Sequence, residues 1–536
     1  MPRVLLVLAV AAVAIGLLWA FAGQNVDLPP ATYVPRGQCI ECHADQHADW
    51  KGSHHDVGMD HATETSVLGD FDDASFTNHG ITSRFFKKDG KFFVNTEGPD
   101  GKLHDYEILY TIGWEPLQQY LIDIGDGRLQ CLQVTWDTEK KRWYHIQPDR
   151  ITPEDRLHWT GMQFNANFMC IECHVTGYDR AYNADTNGYA STWHDIDVGC
   201  QACHGPGSNH VAWARGGGDD PTMGLEVKLK SADPLVQVDG CARCHARRVH
   251  VSDVHGHGEP LLDHMAARLL VEPLYHADGQ ILDEVYVYGS FVQTKKFHKG
   301  VRCTDCHDPH SAALKHEGDA LCMQCHQENP PERFPTLRRI RYDTPEHHFH
   351  TPGTPGSHCV DCHMPAKTYM GVDPRRDHSF RVPRPDLTMK IGTPNACNGC
   401  HTDKEARWAV EEIVKRHRSF LTGRIEAGHF GLAFEAARRN EPAAFRSLAR
   451  LANEQGEPAI VRATAVHYLQ RYEPSEAVRA IAPTLIDENG LVRATAAAAI
   501  GRLVPPEAPA GLQQQKSTRK IMLVNTRYKL NEKCLD

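Results

Sequence analysis

The chain has 536 residues, a formal net charge of −10, a pI near 6.4 and 41% hydrophobic residues. That length leaves room for two to four domains, and the acidic balance without a basic stripe excludes a nucleic-acid binder. Hydrophobic content is slightly low for a large globular protein, so something other than aliphatic side chains has to fill part of its interior.

In chain order, Arg3 precedes an unbroken apolar run from Val4 to Ala22, followed by polar Gln24, Asn25 and Asp27. Residues 1–24 therefore read as a Sec-type export segment. Ala20-Phe21-Ala22 fits a small-x-small cleavage site. Left uncleaved, the run would span about 28 Å as a helix, enough to anchor the chain in a bilayer. Cleavage is the expectation and the anchor its alternative. Residues 28–70 hold Cys39-Ile-Glu-Cys42-His43 and, beyond it, Trp50-Lys51-Gly52-Ser53-His54-His55.

Residues 71–150 change pattern. Short apolar runs, among them Ser83–Phe86, Phe92–Asn95, Leu117–Ile124 and Arg142–Ile146, are divided by Asp89-Gly90, Asp100-Gly101 and Gly125-Asp126-Gly127. Asp-Gly between alternating runs predicts hairpins, hence a small antiparallel β insert. Within residues 151–404 the five-residue pattern of Cys39 returns seven times, as Cys170/Cys173/His174, Cys200/Cys203/His204, Cys241/Cys244/His245, Cys303/Cys306/His307, Cys322/Cys325/His326, Cys359/Cys362/His363 and Cys397/Cys400/His401. Residues 405–505 are rich in Ala, Arg, Leu and Glu at helical spacing. There Val461-Arg462-Ala463-Thr464 recurs as Val492-Arg493-Ala494-Thr495, thirty-one residues later, a period that predicts HEAT-like helical hairpins built on amphipathic helices. Residues 506–536 form a basic, polar tail.

Eight copies of Cys-x-x-Cys-His are eight attachment sites for c-type haem. Two cysteines three apart reach the two vinyl groups of one porphyrin, and the adjacent His supplies Nε2 to the iron. Zinc, a redox dithiol or a disulfide would not need a His after every second Cys. Sixteen of the eighteen cysteines are thereby used. Cys131 and Cys534 remain, and a buried inert thiol is the expectation for Cys131. The expected fold is mainly α with little regular structure around stacked haems, the β insert, and C-terminal helical repeats. Seven sites between Leu157 and His401 force the macrocycles together, and close edges are what electron hopping requires.

Thirty-four histidines leave many to serve as second axial ligands. A haem with His on both faces only passes electrons, whereas one with an open sixth position can bind substrate. The candidates, chosen mostly by proximity to a motif, are His55, His158, His210, His276, His298, His310, His348 and His378. Gly205-Pro206-Gly207 turns the chain back to present His210. His310 lies three residues after His307, too close to reach around its own haem. His347, His350 and His358 stand beside His348 ahead of the seventh motif. Arg247, Arg248, Arg375, Arg376 and Arg381 flank motifs, where pairing with haem propionates is preferred to steering an oxyanion.

Cys203-His204-Gly-Pro-Gly-Ser208-Asn209-His210, Cys306-His307-Asp-Pro-His310-Ser311 and Trp50-x-x-Ser53-x-His55 resemble the multihaem cytochromes of the hydroxylamine-oxidoreductase, pentahaem nitrite-reductase and tetrahaem-cytochrome superfamily, over roughly residues 30–404. The resemblance implies haems in parallel-stacked and perpendicular pairs, with His55, His210 and His310 as distal ligands. It departs from the catalytic members in that all eight motifs end in His, none in Lys. The expectation is an exported, periplasmic or extracytoplasmic octahaem cytochrome carrying electrons between partner proteins, such as a membrane quinol-oxidising complex, and a terminal acceptor. Its rival is an oxidoreductase reducing a small nitrogen or sulfur oxyanion at one five-coordinate haem. A third reading, compatible with the first, makes the C-terminal helices a scaffold docking the belt into a larger complex, self-association included.

Overall fold

The computed structural model describes residues 29–217, 220–252 and 256–504. The export segment with its anchor alternative, the 506–536 tail and Cys534 lie outside them. No helix among the described residues is long and apolar enough to cross a membrane.

The β insert contains ten strands: β1 Met59–His61, β2 Ala74–Asn78, β3 Ile81–Lys88, β4 Lys91–Glu97, β5 Leu103–Glu107, β6 Tyr110–Ile112, β7 Leu117–Asp123, β8 Leu129–Cys131, β9 Val134–Asp137 and β10 Arg142–His145. β2 to β5 form one meander, and a second sheet runs β1-β6-β7-β9-β10 with β8 on β7. Asp89 (φ +52°) and Gly90 (φ +75°) make the two-residue turn between β3 and β4, where positive φ at both positions matches the strand twist. The unit begins before Phe71, because Met59 pairs with Ile112. Three residues are too short to show alternation, so the partner strand defines β1. Phe71 sits at the centre of the interior, edge-on to Phe85, Phe92, Tyr120 and Trp143. On the other side Met59, Ile112, Leu121 and Cys131 pack against Ala166, Ile171 and Val175, which dock the insert on the second motif. Cys131 is buried, and burial pushes its thiol up.

From Leu157 to His401 most helices have only four or five residues. C-terminal to this belt lie α1 Ala406–Ala427, α2 Phe430–Arg438, α3 Ala444–Asn453, α4 Ala459–Leu469, α5 Pro474–Ile481 and α6 Gly490–Leu503. The repeated tetrapeptide opens α4 and α6 and bonds alike in both. Thr464 and Thr495 each donate to the carbonyl four residues back, at 2.7 Å. Arg462 donates to Glu457 O at 2.8 Å, and Arg493 to Glu488 O at 2.9 Å, each five residues back. α4 is not amphipathic, however: every residue from Ile460 to Val466 is buried. It packs against α3 and α6 and also faces the belt, where Leu270 N–H donates to Thr464 Oγ1 at 3.1 Å. One apolar core accordingly runs from Val238, Leu270 and Phe291 into Phe434, Leu448 and Ile460.

Candidate metal centre

Each motif is built as one helical turn. The His N–H donates to the carbonyl of the first Cys at 3.0 Å in His43, His307 and His326 and at 2.8 Å in His401. Residues i, i+3 and i+4 therefore share a face, placing both thiols and the imidazole on one side. Side-chain caps set several of these turns: Asn395 accepts from Asn398 N–H, Asp233 from Leu235 N–H and Asn165 from Phe168 N–H. Gly205, at φ +80°, ends the turn of His204 before the helix Ser208–Gly216 brings His210 back.

Six of the eight motifs, all but those at Cys39 and Cys397, line one cavity of about 2470 Å³, bordered by Cys170, Cys173, His174, Cys203, Cys241, Cys244, His245 and Cys303 among others. Whether its residues fit haem iron can be tested by ring separation. An imidazole nitrogen lies about 2 Å from a transition-metal ion, so two rings on opposite sides of one ion have centroids about 6.4 Å apart. Five motif histidines face a non-motif histidine at that separation: His43 and His210 at 6.2 Å, His245 and His55 at 6.4 Å, His307 and His378 at 6.4 Å, His363 and His347 at 6.1 Å, His401 and His350 at 6.1 Å. Nitrogen orientation agrees. Nδ1–H donates to a backbone carbonyl in His174 (Gly58), His210 (Met223), His350 (His348), His363 (Arg381) and His378 (Arg376), at 2.5–3.0 Å. That bond fixes the tautomer and leaves Nε2 free for a metal. Burial, reinforced by neighbouring imidazoles, pushes His245 down to about 4 and His347 to about 4, which keeps both neutral as ligands need. The donor set fits haem.

The remaining candidates are placed differently. His310 lies close enough to His204 for the two imidazoles to interact electrostatically. His158 is buried inside the β insert, with Nδ1 2.7 Å from Thr160 Oγ1 and Nε2 3.7 Å from Glu97. His276 lies beside Asp278, Lys367 and Arg438 and does not border the cavity. His298 is exposed, its ring edge-on to Phe297. His348 accepts from His350 N–H on Nδ1 at 3.2 Å, so its proton sits on Nε2, and its neighbours His347 and His350 face the motifs instead. Among the described residues none of these four faces a motif histidine at ligand separation. Arg248, Arg375, Arg376 and Arg381 border the cavity, Arg247 does not. All five bond protein groups, as in Arg375 with Glu284 and Arg381 with Gln293 Oε1 at 3.0 Å.

Three family models match parts of the chain: cytochrome c554 and c-prime over residues 135–205, the doubled CXXCH motif over 295–330 and cytochrome c552 over 340–529. The motifs at Cys39 and Cys241 fall outside all three. No curated protein matches. Among solved structures, that titled outer cell wall cytochrome OcwA is similar in fold, with a TM-score of 0.50 and 18% identity over 88% of this chain and 99% of that one. Motifs, family models and fold agree on a multihaem c-type cytochrome with covalently bound haem.

Proposed function

We propose that this multihaem c-type cytochrome is an exported, eight-haem electron carrier whose haems are mostly bis-His. The observation that carries the reading is the five histidine pairs at 6.1–6.4 Å. Each haem, once attached, supplies a one-electron ferric/ferrous couple. The residues arrange the sites in series. Side-chain contacts join Cys39 to Cys200, Cys244 to Cys173, Cys241 to Cys303 and Cys322 to Cys359. Cys203 neighbours Cys244, Cys306 neighbours Cys322 and Cys325, and Cys362 neighbours Cys397 and Cys400. These contacts support a trunk of seven adjoining sites, with the Cys170 site a branch off the Cys241 site. A chain of this kind suits exchange with redox partner proteins, such as a membrane quinol-oxidising complex. The HEAT-like hairpins would act as its scaffold.

One observation favours the second reading, reduction of a small nitrogen or sulfur oxyanion at one five-coordinate haem. Of the three motif histidines that no described imidazole faces at ligand separation, His174, His204 and His326, His174 is oriented as a ligand by Gly58 O. Tyr286, at φ +58°, projects into the cavity beside Cys170 and Cys173; a bulky residue there is strained, as functional sites often are.

Low-temperature EPR of the fully loaded, oxidised protein, with spins counted per haem, tests both. Low-spin signals for at least the five paired sites are expected. A majority of high-spin haems would overturn the carrier reading. One high-spin haem that shifts with nitrite, hydroxylamine or sulfite and disappears in Cys170→Ala/Cys173→Ala would establish the second.

A further inference from the structure

Ala409, Ile413, His417 and Leu421 stand four apart along α1. Residues at that spacing share a helix face, and Ala409 and Leu421 are fully buried. The third position of this inward stripe therefore holds an imidazole where an aliphatic side chain would be ordinary. The helix also breaks there. His417 has φ −132° and ψ 43°, a non-helical conformation inside Ala406–Ala427, and neither Pro nor Gly stands within five residues to cause it. His417 Nε2 is buried and has no hydrogen-bond partner among the described residues. A buried polar atom left unpaired asks for an explanation.

The surroundings of the ring supply one. His417 packs on Phe349, with centroids 5.4 Å apart, and on His347, with centroids 6.0 Å apart. The Arg416 guanidinium lies 4.6 Å from the Phe349 ring. Phe349, at φ +68°, makes the reversal that sends His347 to His363 and His350 to His401. α1 thus braces the turn carrying two of the paired imidazoles. Three of the five paired non-motif histidines, His210, His350 and His378, give Nδ1–H to a backbone carbonyl. The His347 ring has no hydrogen bond among the described residues. Two rings lacking a partner are therefore neighbours, and neither belongs to a motif, so no haem lies between them. Because protein atoms seal His417 Nε2, a water or a haem propionate oxygen has no room at hydrogen-bond distance from it. A nitrogen of His347 is within reach. A direct N–H···N bond of about 2.9 Å puts two imidazole centroids about 5.2 Å apart in line, so a ring movement of under about 1 Å closes it.

We propose that in the haem-loaded protein the non-ligating N–H of His347 donates to His417 Nε2. His417 is then a positioning residue for the haem of Cys359, Cys362 and His363: it fixes the plane of the axial imidazole and raises its basicity, as outer partners of ligating histidines do. A more basic ligand favours the ferric state and lowers the potential of that haem. The proposal rests on the paired-histidine reading above and deepens it.

The test compares full-length, haem-loaded wild type with His417→Leu, His417→Gln and His347→Ala. Leucine fits the inward stripe and removes the acceptor, whereas glutamine keeps one. Haem content is counted by intact mass, and EPR-monitored redox titration gives the g values and midpoint of each resolved low-spin signal. His417→Leu is expected to keep all haems and the low-spin count, while one low-spin signal changes its g values and its midpoint rises. His417→Gln should restore both. His347→Ala should turn that same signal high-spin. If His347→Ala leaves the spin count unchanged, the pairing of His347 with His363 has failed and the proposal with it. If His347→Ala behaves as expected but His417→Leu leaves every g value and midpoint unchanged, the pairing stands and the proposal alone is overturned. Equal shifts in His417→Leu and His417→Gln would assign packing, and a midpoint shift at unchanged g values would assign a partner other than the ligand; either overturns it. A high-spin haem in His417→Leu would make His417 itself the ligand and overturn it too.

Discussion

The belt from Leu157 to His401 and the C-terminal helices α2–α6 are of opposite internal construction. In the helices the interior is protein. Leu448, Ile460, Val461, Val466, Leu469 and Ile481 are at most 1% exposed. In the belt the motif turns bury almost none of their own residues. The Ala320–Met323, Cys359–His363 and Ala396–Cys400 helices have none buried, and the cavity runs between them. Helices of four or five residues are far below the length at which a helix holds itself together. The difference teaches that the belt is a shell shaped around its cofactor, whereas α2–α6 is a self-packed body against which one side of that shell, Val238 to Phe291, leans.

Withholding the cofactor breaks this comparison most severely. Full-length protein produced without haem attachment is expected to lose the belt as an ordered region, because few of its motif turns keep an apolar partner. In limited proteolysis read by mass spectrometry, peptides between Leu157 and His401 should appear first, and those from α3 to α6 last. Equal cleavage of the two regions would mean that the belt has a protein core of its own.

The second effect tests the self-packed side. Arg462 donates to Asp487 Oδ1 at 2.7 Å, with the two side chains 7% and 1% exposed. Burial raises the Asp487 carboxyl, but Arg462 and the Asn489 N–H outweigh it and hold the group below the ordinary carboxylate range. Arg462→Met leaves a buried charge unpaired, at a cost of about 3–5 kcal/mol. The sign with pH follows. A depressed carboxylate contributes stability above its unfolded value of about 3.9, and loses it as pH falls through the lower folded value. In the variant the unpaired Asp487 titrates above the unfolded value instead, so acid relieves it. Hydrogen exchange of the α4 and α6 amides should therefore separate wild type from variant strongly at neutral pH and less below about pH 4. A difference that does not shrink in acid would assign the loss to Arg462 packing rather than to the pair.

What was legible in the chain divides along the same line. The eight motifs are legible because thioether chemistry imposes their spacing, and β3 and β4 because alternation and the Asp-Gly turn between them report a half-buried sheet. The tetrapeptide of α4 and α6 is legible because both copies make the same two bonds. Which histidine meets which motif is not legible. His347 and His348 are adjacent, yet only His347 faces His363, and His158, near a motif in sequence, lies within the β insert. In the self-packed region a 3.6-residue period reports orientation. In the belt no such period exists, since contact with the cofactor decides where each turn points.

The smallest effect concerns the seam between the β insert and the belt. Tyr144 on β10 donates its hydroxyl to Met370 O at 2.8 Å, in the turn joining Ala366–Tyr369 to Asp373–Arg376. Gly371, at φ +80°, leaves room for the ring; a Cβ there would stand 3.1 Å from Tyr144 Cε2. Burial raises the phenol, with Asp137 and Asp373 adding to it, so the hydroxyl stays a donor at neutral pH. Tyr144→Phe keeps the ring and removes one bond, a loss of about 1 kcal/mol. The Met370 carbonyl lies at a surface turn where water can replace the donor, so a cost well above that figure is not expected. Because the insert also docks through Met59, Ile112 and Leu121 on Ile171, the variant should lose stability in denaturant titration without changing haem content or spin state. A change in the spin count would show that the seam reaches the His174 site, and would make the β insert part of that haem's environment rather than a cover over it.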